Sequence, residues 1–453
     1  MSDKQRHIYI ALLAVLFVGL LQLQLGTLAF SLAVLFLLPV VIRHAFVVCL
    51  WFILFSYYRL HEAIPVLMPF KLPQLLALAS LAGLGWQLWM SRSRLVWLPI
   101  HSLLTLFSLW VLLSCFMATN RGIAFASFNG TYIKIFIMVL AIGWLPSHLN
   151  QLKKFSFWLL ICGALIASIA LYNQAQGIGL VEGTRVTIGR SIGSMLGDPN
   201  DLALVLQFPV SFALAYSFYG PKLHRTFAAC CFILLVMGVL ATQSRGGLLG
   251  ISATVFVLTL IRSRSLFLPG MIGLTSLAAL VIAAGIGDRS SGGAAETGVD
   301  ASAMGRLYAW VAAFRMAVSN PFTGVGLKNF YSNYYFYSPH WDGKNHAVHS
   351  TWFQILAEIG FAGLALFLLL LASVFKLSYQ LLGQLKGSDM QPFAEGLWLG
   401  IIAFCVSGTF LTQGFTWPLY ILIGLLIALH RLTRGEEHVG RNDEETPQSS
   451  TAI

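Results

Sequence analysis

The chain has 453 residues, of which 57% are hydrophobic and only 10% are charged, and its mean hydropathy is +0.78. Soluble globular proteins carry about 25% charged residues, so this composition excludes a protein that exposes most of its length to water. A net charge of +11 would indicate nucleic-acid binding in a soluble protein. Here basic residues flank apolar runs, and no nucleic-acid-binding module is visible. We therefore predict an all-α, polytopic integral membrane protein.

Apolar runs recur from end to end, and the first is followed by another without a cleavage site, which predicts a retained helix rather than a signal peptide. The six cysteines lie in apolar runs and are predicted to be buried small side chains, not disulfides or metal ligands. Runs of roughly 17–25 residues can cross a bilayer, so we predict about 12–14 transmembrane helices. The candidate spans lie near residues 8–25, 27–42, 45–60, 72–90, 96–117, 131–146, 155–173, 200–219, 226–243, 247–261, 266–286, 351–375, 393–411 and 416–430.

Basic residues follow every second predicted span, and the positive-inside rule places these junctions and both termini in the cytoplasm. The residues are Arg43, Arg92, Arg94, Lys153, Lys154, Lys222, Arg225, Arg262, Arg264, Lys376, Lys386, Arg431 and Arg434. Three longer segments, 118–130, 174–199 and 287–350, then lie on the outer face. In a bacterium this face is the periplasm, and the protein is predicted in the inner membrane.

The predicted organisation has five parts. They are N-terminal transmembrane helices (1–190), central transmembrane helices (191–286), a large periplasmic loop (287–350), C-terminal transmembrane helices (351–434) and a disordered cytoplasmic tail (435–453). Within the loop we predict an amphipathic helix over 305–318 that lies along the membrane interface. An aromatic stretch over 330–341 follows, which suits either stacking on sugars or an interfacial aromatic belt.

Outer-face arginines do not help to set topology and need another explanation. Arg245 lies in Gln243-Ser244-Arg245-Gly246-Gly247, where the two glycines predict a tight turn open to a ligand. The alternative is an arginine that only reaches to the interface. Arg306 lies early in the amphipathic helix, and Arg185, Arg190 and Arg315 are further outer-face cations. Two converging guanidinium groups suit a pyrophosphate, because each can bind phosphate oxygens in a bidentate manner.

His346 and His349 are three residues apart and on a helix would share one face. A zinc site with Asp342 or His340 is one interpretation, although the spacing is not a standard ligand pattern. Structural histidines are a second. We favour a general base, because neutral imidazole accepts a proton at neutral pH without a metal. We expect no metal and no cofactor.

Asp198-Pro199-Asn200 precedes a predicted span. Asp198 or Asn200 can cap that helix, with proline in its first turn. A role in substrate binding is weighted equally, because both side chains belong to the predicted outer face.

Several of these segments, taken in order, resemble the O-antigen ligase superfamily, which includes O-antigen ligases, polysaccharide polymerases and O-oligosaccharyltransferases. The resemblance covers about residues 190–365. It rests on Asp198-Pro199-Asn200, Ser244-Arg245-Gly246, Gly305-Arg306-Leu307-Tyr308-Ala309-Trp310, Asn320-Pro321-Phe322-Thr323-Gly324-Val325-Gly326, His349-Ser350 and Glu358-Ile359-Gly360-Phe361-Ala362-Gly363. Many relatives have His-Asn where this chain has His349-Ser350.

The resemblance implies metal-independent, inverting transfer of a glycan from undecaprenyl pyrophosphate to an acceptor hydroxyl. The residues agree with this chemistry: Arg245 and Arg306 would stabilise the departing pyrophosphate, and His349 would take the acceptor proton. These three are the predicted catalytic residues. The predicted substrate-binding residues are Arg185, Arg190, Asp198, Asn200, His346, Arg315 and Glu358.

Lipid A–core, a growing polysaccharide and a protein hydroxyl all remain open as acceptors. From another class of function, a transporter or flippase for lipid-linked oligosaccharide is the main alternative. It would predict inverted repeats and ionisable residues deep within spans. The sequence has no visible repeat and few charges within spans, which favours an enzyme.

Overall fold

The computed structural model describes residues 39, 41–90, 95–263, 265–284 and 301–444, with side chains of the last segment described over 304–434. The predicted span 8–25, most of 27–42, the cations Arg92, Arg94 and Arg264, and the end of the predicted tail lie outside the described residues. Within them, the secondary structure is helical except for turns and one isolated bridge between Val181 and Arg185. This confirms the all-α class.

The described chain forms sixteen α-helices, joined in places by short 3-10 or π turns. They are α1 (Ala45–Tyr58), α2 (Leu60–Ala63), α3 (Leu72–Trp89), α4 (Pro99–Phe116), α5 (Arg121–Ser127), α6 (Ile133–Trp144), α7 (Leu149–Gln176), α8 (Pro199–Tyr216), α9 (Lys222–Thr242), α10 (Arg245–Arg262), α11 (Phe267–Ala283), α12 (Ala301–Ser319), α13 (Phe330–Tyr337), α14 (Thr351–Gln384), α15 (Gln391–Gly408) and α16 (Trp417–Glu444).

Six helical segments within the described residues are long and apolar enough to cross a membrane. They are Pro99–Phe116, Arg121–Trp144, Leu149–Gln176, Lys222–Thr242, Arg245–Arg262 and Thr351–Gln384, and Ala45–Tyr58 and Phe267–Ala283 are shorter apolar helices. The polytopic membrane class is thereby confirmed. The count of 12–14 spans stays a prediction, because part of the N-terminal region lies outside the described residues.

Some predicted boundaries differ from the structure. The segment 118–130, predicted as an outer loop, is largely helical: α5 continues through a π turn, Phe128–Tyr132, into α6. The predicted helix over 305–318 is confirmed as α12. The aromatic stretch contains α13, which was not predicted because its buried side chains, Phe330, Asn333 and Tyr334, repeat at helical spacing only over two turns.

Segments predicted for the outer face contact one another. The backbone N–H of Asn120 donates to the Asn329 side chain at 3.0 Å. The Thr184 hydroxyl contacts the Gln243 side chain at 2.9 Å. These contacts join 118–130 to 287–350 and 174–199 to the turn at 243–247, so predicted outer segments that are far apart in sequence lie against one another.

Junctions predicted for the cytoplasmic side contact one another in the same way. Lys153 pairs with Asp389 at 3.2 Å, and Arg262 pairs with Glu395 at 3.0 Å. Arg431 donates to the carbonyl of Gly143 at 3.2 Å. The predicted outer junctions contact one another, and so do the predicted cytoplasmic junctions, which agrees with the alternating topology. That the second set faces the cytoplasm stays a prediction.

Helix α8 is the central helix of the described bundle. Residues 202–215 are buried on every face, which is typical of an interior helix surrounded by other helices. Gly247 and Gly250 of α10 pack closely against it, since a Cβ on Gly247 would lie 2.8 Å from the Cβ of Ala203. The N-terminus of α8, with Asp198 and Asn200, is thus fixed beside the start of α10, with Arg245.

Helix α14 is interrupted at Gly360, whose φ of 74° is left-handed. Residues 320–326 bind the interruption through their backbone. Val325 N–H donates to the Ala357 carbonyl at 2.8 Å, and Gly326 N–H donates to the Glu358 carbonyl at 3.0 Å. Phe361 N–H donates to the Pro321 carbonyl at 2.8 Å. Two motifs separated in sequence, 320–326 and 358–363, therefore form one unit.

Helix α12 packs on α14 through small residues, including Ala309, Ala312 and Ala313, which are fully buried. Its opposite face carries Leu307, Val311, Phe314 and Val318, all of them exposed. Helix α12 therefore presents an apolar stripe outward, as required of a helix lying at a membrane interface.

Candidate active site

Arg245 is the first residue of α10 and is exposed. The turn before it depends on Gln243, which has a left-handed φ of 50°, and on Ser244, whose hydroxyl caps the helix by accepting from Gly247 N–H at 3.3 Å. The prediction that the two glycines open the backbone to a ligand is wrong. Gly246 and Gly247 are helical and buried, and their carbonyls accept hydrogen bonds from Ser407 and Gln207.

Arg185 and Asn200 are hydrogen-bonded to residues in and next to this turn. Arg185 is buried, and its Nε donates to the Thr242 carbonyl at 3.1 Å at the end of α9. Its Nη2 donates to Asn200 Oδ1 at 2.9 Å, and the same oxygen accepts from the Ser244 hydroxyl at 2.9 Å. Both residues were predicted to bind substrate, which stays a prediction; the described contacts join them to the turn that carries Arg245.

Asp198 is the N-cap of α8: its Oδ1 accepts from Asn200 N–H at 2.7 Å and from Asp201 N–H at 3.4 Å. The capping interpretation is confirmed, and the carboxylate is also close enough to His349 to influence its pKa. Arg190 is exposed and donates to the Gly197 carbonyl at 3.0 Å, within its own loop.

Arg306 lies in the second turn of α12, and its guanidinium carbon is 5.9 Å from the centre of the Phe410 ring. Gly246 faces the same phenylalanine, because a Cβ placed on Gly246 would lie 3.4 Å from Phe410 Cβ. The turn that carries Arg245 and the helix that carries Arg306 therefore meet at Phe410. This is the convergence of arginine-bearing elements that the sequence could not show.

His349 lies immediately before α14 with a left-handed φ of 46°. Its backbone N–H donates to the Thr412 hydroxyl at 3.0 Å. Burial lowers the pKa of His349, the positive charge of Arg306 lowers it further, and Asp198 acts in the opposite direction. His349, Arg306 and Asp198 are thus brought together electrostatically, with the imidazole favoured in its neutral form.

Residues 345–350 are not helical, so the prediction that His346 and His349 share a helical face is wrong. His346 Nε2 instead contacts the Asp342 carboxylate at 2.9 Å, and this hydrogen bond lowers the pKa of Asp342. Ser350, where many relatives have asparagine, is buried and caps α14. Among the residues that the structure describes, no group of three or more His, Cys, Asp or Glu side chains is arranged to hold a metal ion.

Glu358 and Arg315 hold the loop together. Glu358 is 3% exposed and accepts from Lys328 N–H at 2.9 Å and from the Gln354 amide at 3.4 Å. Arg315 Nη1 donates to the Tyr337 carbonyl at 3.2 Å and so fixes α13 to α12. These contacts make both residues parts of the loop structure, and their predicted contact with substrate stays a prediction.

The turn at residues 409–416 was not predicted to be part of the site. Phe410 faces both arginine-bearing elements, and Thr412 holds the backbone of His349. Gln413 donates to Asp201 at 2.6 Å, which ties this turn to the start of α8. The only available signal was a short polar stretch, Thr-Gln-Gly, between two predicted spans, and nothing in it predicts which distant loops it contacts.

Fold and site together define a polytopic α-helical membrane protein with a cluster of arginine, histidine and aspartate at one end of its helices. Residues 230–368 match the family model of the O-antigen ligase (Wzy_C) family. No curated protein sequence matches the chain. The match includes Arg245, Arg306, His349 and Glu358 and begins after Asp198 and Asn200. The predicted resemblance to the O-antigen ligase superfamily is confirmed, and the match supports a function like that of O-antigen ligases and polymerases in general.

Proposed function

We propose that this protein is a glycosyltransferase that moves a glycan from undecaprenyl pyrophosphate to an acceptor hydroxyl, as an O-antigen ligase or a related surface-polysaccharide polymerase. The observation that carries the proposal is the position of His349, whose backbone is held by Thr412 and whose pKa is influenced by the charges of Arg306 and Asp198. In this proposal the enzyme lies in the bacterial inner membrane with both termini in the cytoplasm. Its site faces the periplasm, where donors must arrive linked to lipid.

In the reaction, neutral His349 removes the proton from the acceptor hydroxyl. The acceptor oxygen then bonds to the anomeric carbon from the face opposite the leaving group, and the bond from that carbon to the pyrophosphate oxygen breaks, which inverts the configuration. Arg245 and Arg306 stabilise the negative charge that develops on the pyrophosphate. No metal ion takes part in this scheme, and the acceptor is a lipid A–core, polysaccharide or protein hydroxyl.

Phe410 contributes by bringing the two guanidinium groups to one leaving group, since it contacts both elements that carry them. A charge-stabilising group that acts only as the bond breaks increases the rate of transfer rather than the binding of donor. Removal of one such donor costs about 3 kcal/mol, a loss of roughly 100-fold in rate.

The test is glycan transfer by the purified chain, or surface-glycan analysis of a deletion strain, with Arg245→Ala, Arg306→Ala and His349→Ala at matched expression. We expect each variant to lose transfer and lipid-linked glycan to accumulate. Arg121→Ala is the matched control, because Arg121 is also an exposed arginine at the first position of a helix on the same side. Full transfer by all three variants would overturn the proposal. Accumulated polymer identifies a ligase, and accumulated single repeats identify a polymerase.

A further inference from the structure

A cavity of about 760 Å³ lies between α1, α3, α6 and residues 415–417. We call it the basic cavity, because its lining includes the basic side chains of Arg59, His61, Lys71, Lys134 and Lys328. None of these was among the predicted site residues. Its volume lies within the roughly 300–1,000 Å³ that is usual for sites of small ligands.

The lining is polar at one end and apolar at the other. Arg59 follows the last residue of α1, and Lys71 precedes the first residue of α3, so both lie at the helix ends that are joined to the outer loops. Further along the same helices and along α6, the lining becomes apolar, with Phe52, Leu81 and Met138. Leu78, also in the lining, is 67% exposed, so the apolar end is open at its side. This order of polarity suits an amphiphile with an anionic head and a hydrocarbon tail.

At the basic end of the cavity, the positive charges of Lys71 and Lys134 are not neutralised by carboxylates of the described residues. No carboxylate oxygen of the described residues lies within 4 Å of the Lys71 or Lys134 ammonium group. Arg59 pairs with Glu62 at 2.8 Å, but its Nε is buried without a hydrogen-bond partner in the described chain, as is Nδ1 of His61. A buried donor without a partner, such as the Arg59 Nε–H, is costly, and an anion bound next to it would satisfy it.

Backbone geometry at the basic end is also unusual. Arg59, Lys71 and Lys328 all have left-handed φ values, of 50°, 47° and 60°. Such conformations are disfavoured for residues other than glycine and persist where surrounding structure fixes them, often at ligand sites. The π turn, Phe128–Tyr132, contributes Gly130 and Thr131 to the lining, and π turns in helices are frequent at functional sites.

From these observations we infer that the basic cavity binds the phosphorylated headgroup of a membrane lipid, at a site separate from Arg245 and Arg306. Lysine and arginine side chains at its outer end contact the phosphate oxygens, and the lipid chain lies along the apolar wall formed by α3 and α6. Lys328 joins the basic cavity to α14, because its backbone N–H donates to Glu358. The proposed function uses a glycan donor linked to a lipid phosphate, so a lipid phosphate in this cavity is consistent with it. The inference about the cavity does not require that function.

The test is binding of geranylgeranyl monophosphate to the full chain in phosphatidylcholine nanodiscs, measured by calorimetry and native mass spectrometry. Geranylgeraniol and inorganic phosphate are the comparison ligands. We expect the lipid phosphate to bind more tightly than either. Each basic side chain near an anionic headgroup contributes about fivefold in affinity, so Lys71→Gln with Lys134→Gln should weaken binding about 25-fold.

Three controls separate this site from folding defects and from the arginine cluster. Lys71→Arg with Lys134→Arg should retain binding, and Lys154→Gln, an exposed lysine on the other side of the bundle, should leave it unchanged. Arg245→Ala should lose transfer and retain probe binding. The inference is overturned if the double glutamine variant binds like wild type, if geranylgeraniol or inorganic phosphate binds as tightly as the lipid phosphate, or if Arg245→Ala removes probe binding.

Discussion

The backbone N–H of His349 donates a hydrogen bond of 3.0 Å to the hydroxyl of Thr412, which lies 63 positions further along the chain. The residue proposed as the general base is thus positioned by a turn between two other helices, and the left-handed φ at His349 is held at the same point. The orientation of the His349 imidazole therefore depends on Thr412, an uncharged residue in a different part of the chain.

Replacement of Thr412 by valine should therefore lower activity more than stability. Loss of one hydrogen bond costs about 1 kcal/mol in stability, whereas a misplaced base lowers the rate by roughly tenfold or more. Comparison of kcat with the thermal midpoint distinguishes these effects. Thr412→Ser, which keeps the hydroxyl, should recover most of the rate. If valine and serine variants behave alike, the hydroxyl does not position His349.

The pH dependence of transfer should report the charges around His349. Burial and Arg306 hold the pKa of His349 below its ordinary value of 6.5, so kcat/KM should decline only at a pH below that value. Arg306→Gln removes a positive charge and should move this decline to higher pH. Asp198→Asn removes a negative charge and should move it to lower pH, while asparagine still caps α8. Shifts in the same direction for both variants would contradict the assignment.

The stability of the folded chain should also depend on the protonation of His349. The folded chain disfavours protonation of His349, so the unfolded chain binds more protons at that site once the pH falls below about 6.5. The contribution of neutral His349 is fully present above that pH and is lost as the pH decreases. We expect the thermal midpoint of His349→Gln to decrease less on acidification than that of wild type. Equal decreases would show that another group dominates.

Asn200 should be more important for stability than its half-buried position suggests. Its side-chain oxygen accepts from Arg185 and from Ser244, so Asn200→Ala removes the acceptor of two donors at once. A buried donor that loses its partner costs about 1–3 kcal/mol. Asn200→Asp keeps an oxygen in place and should retain most of the stability. The comparison of thermal midpoints, with transfer rates measured alongside, tests whether this network supports Arg245.

Two glycines of α14 should respond in opposite ways to alanine. A Cβ at Gly360 would lie 2.4 Å from the Phe322 carbonyl oxygen at a left-handed φ, so Gly360→Ala should prevent residues 320–326 from packing. Gly383 is exposed in the same helix and has no atom within 4 Å of its added Cβ, so Gly383→Ala should be neutral or stabilise by up to about 1 kcal/mol. Folded yield and thermal midpoint measure both effects. A Gly360→Ala variant as stable as wild type would contradict the structure.

The helical class and the grouping of junctions could be predicted from sequence, because apolar length and the position of basic residues depend on local sequence alone. The motif order also indicated the family. The roles of individual residues could not be predicted equally well. Asp198 is both a cap and a charge near His349, and Arg185 is buried beneath the turn that it was expected to share with substrate. Such roles depend on contacts between loops that are far apart in the chain, and these contacts produce no periodic pattern in the sequence.

The basic cavity was missed for a related reason. Lys71 and Lys134 lie near the ends of two helices and are 63 positions apart in the chain, and each alone resembles an ordinary interfacial lysine. Only the packing of α3 near α6 brings them to one cavity. A site assembled from single residues of several helices is not visible as a motif.

The interruption of α14 at Gly360 has a consequence for how substrates enter. It frees carbonyl groups of Ala357, Glu358 and Ile359, which are satisfied by Val325, Gly326 and the Trp110 indole, the last at 3.1 Å. If residues 320–326 swung away, the carbonyls of Ala357 and Glu358 would be left unpaired, at a cost of several kcal/mol in an apolar environment. Residues 320–326 are therefore a fixed part of the structure and not a movable gate, and under the proposed function we expect the reactants to reach His349 from the side.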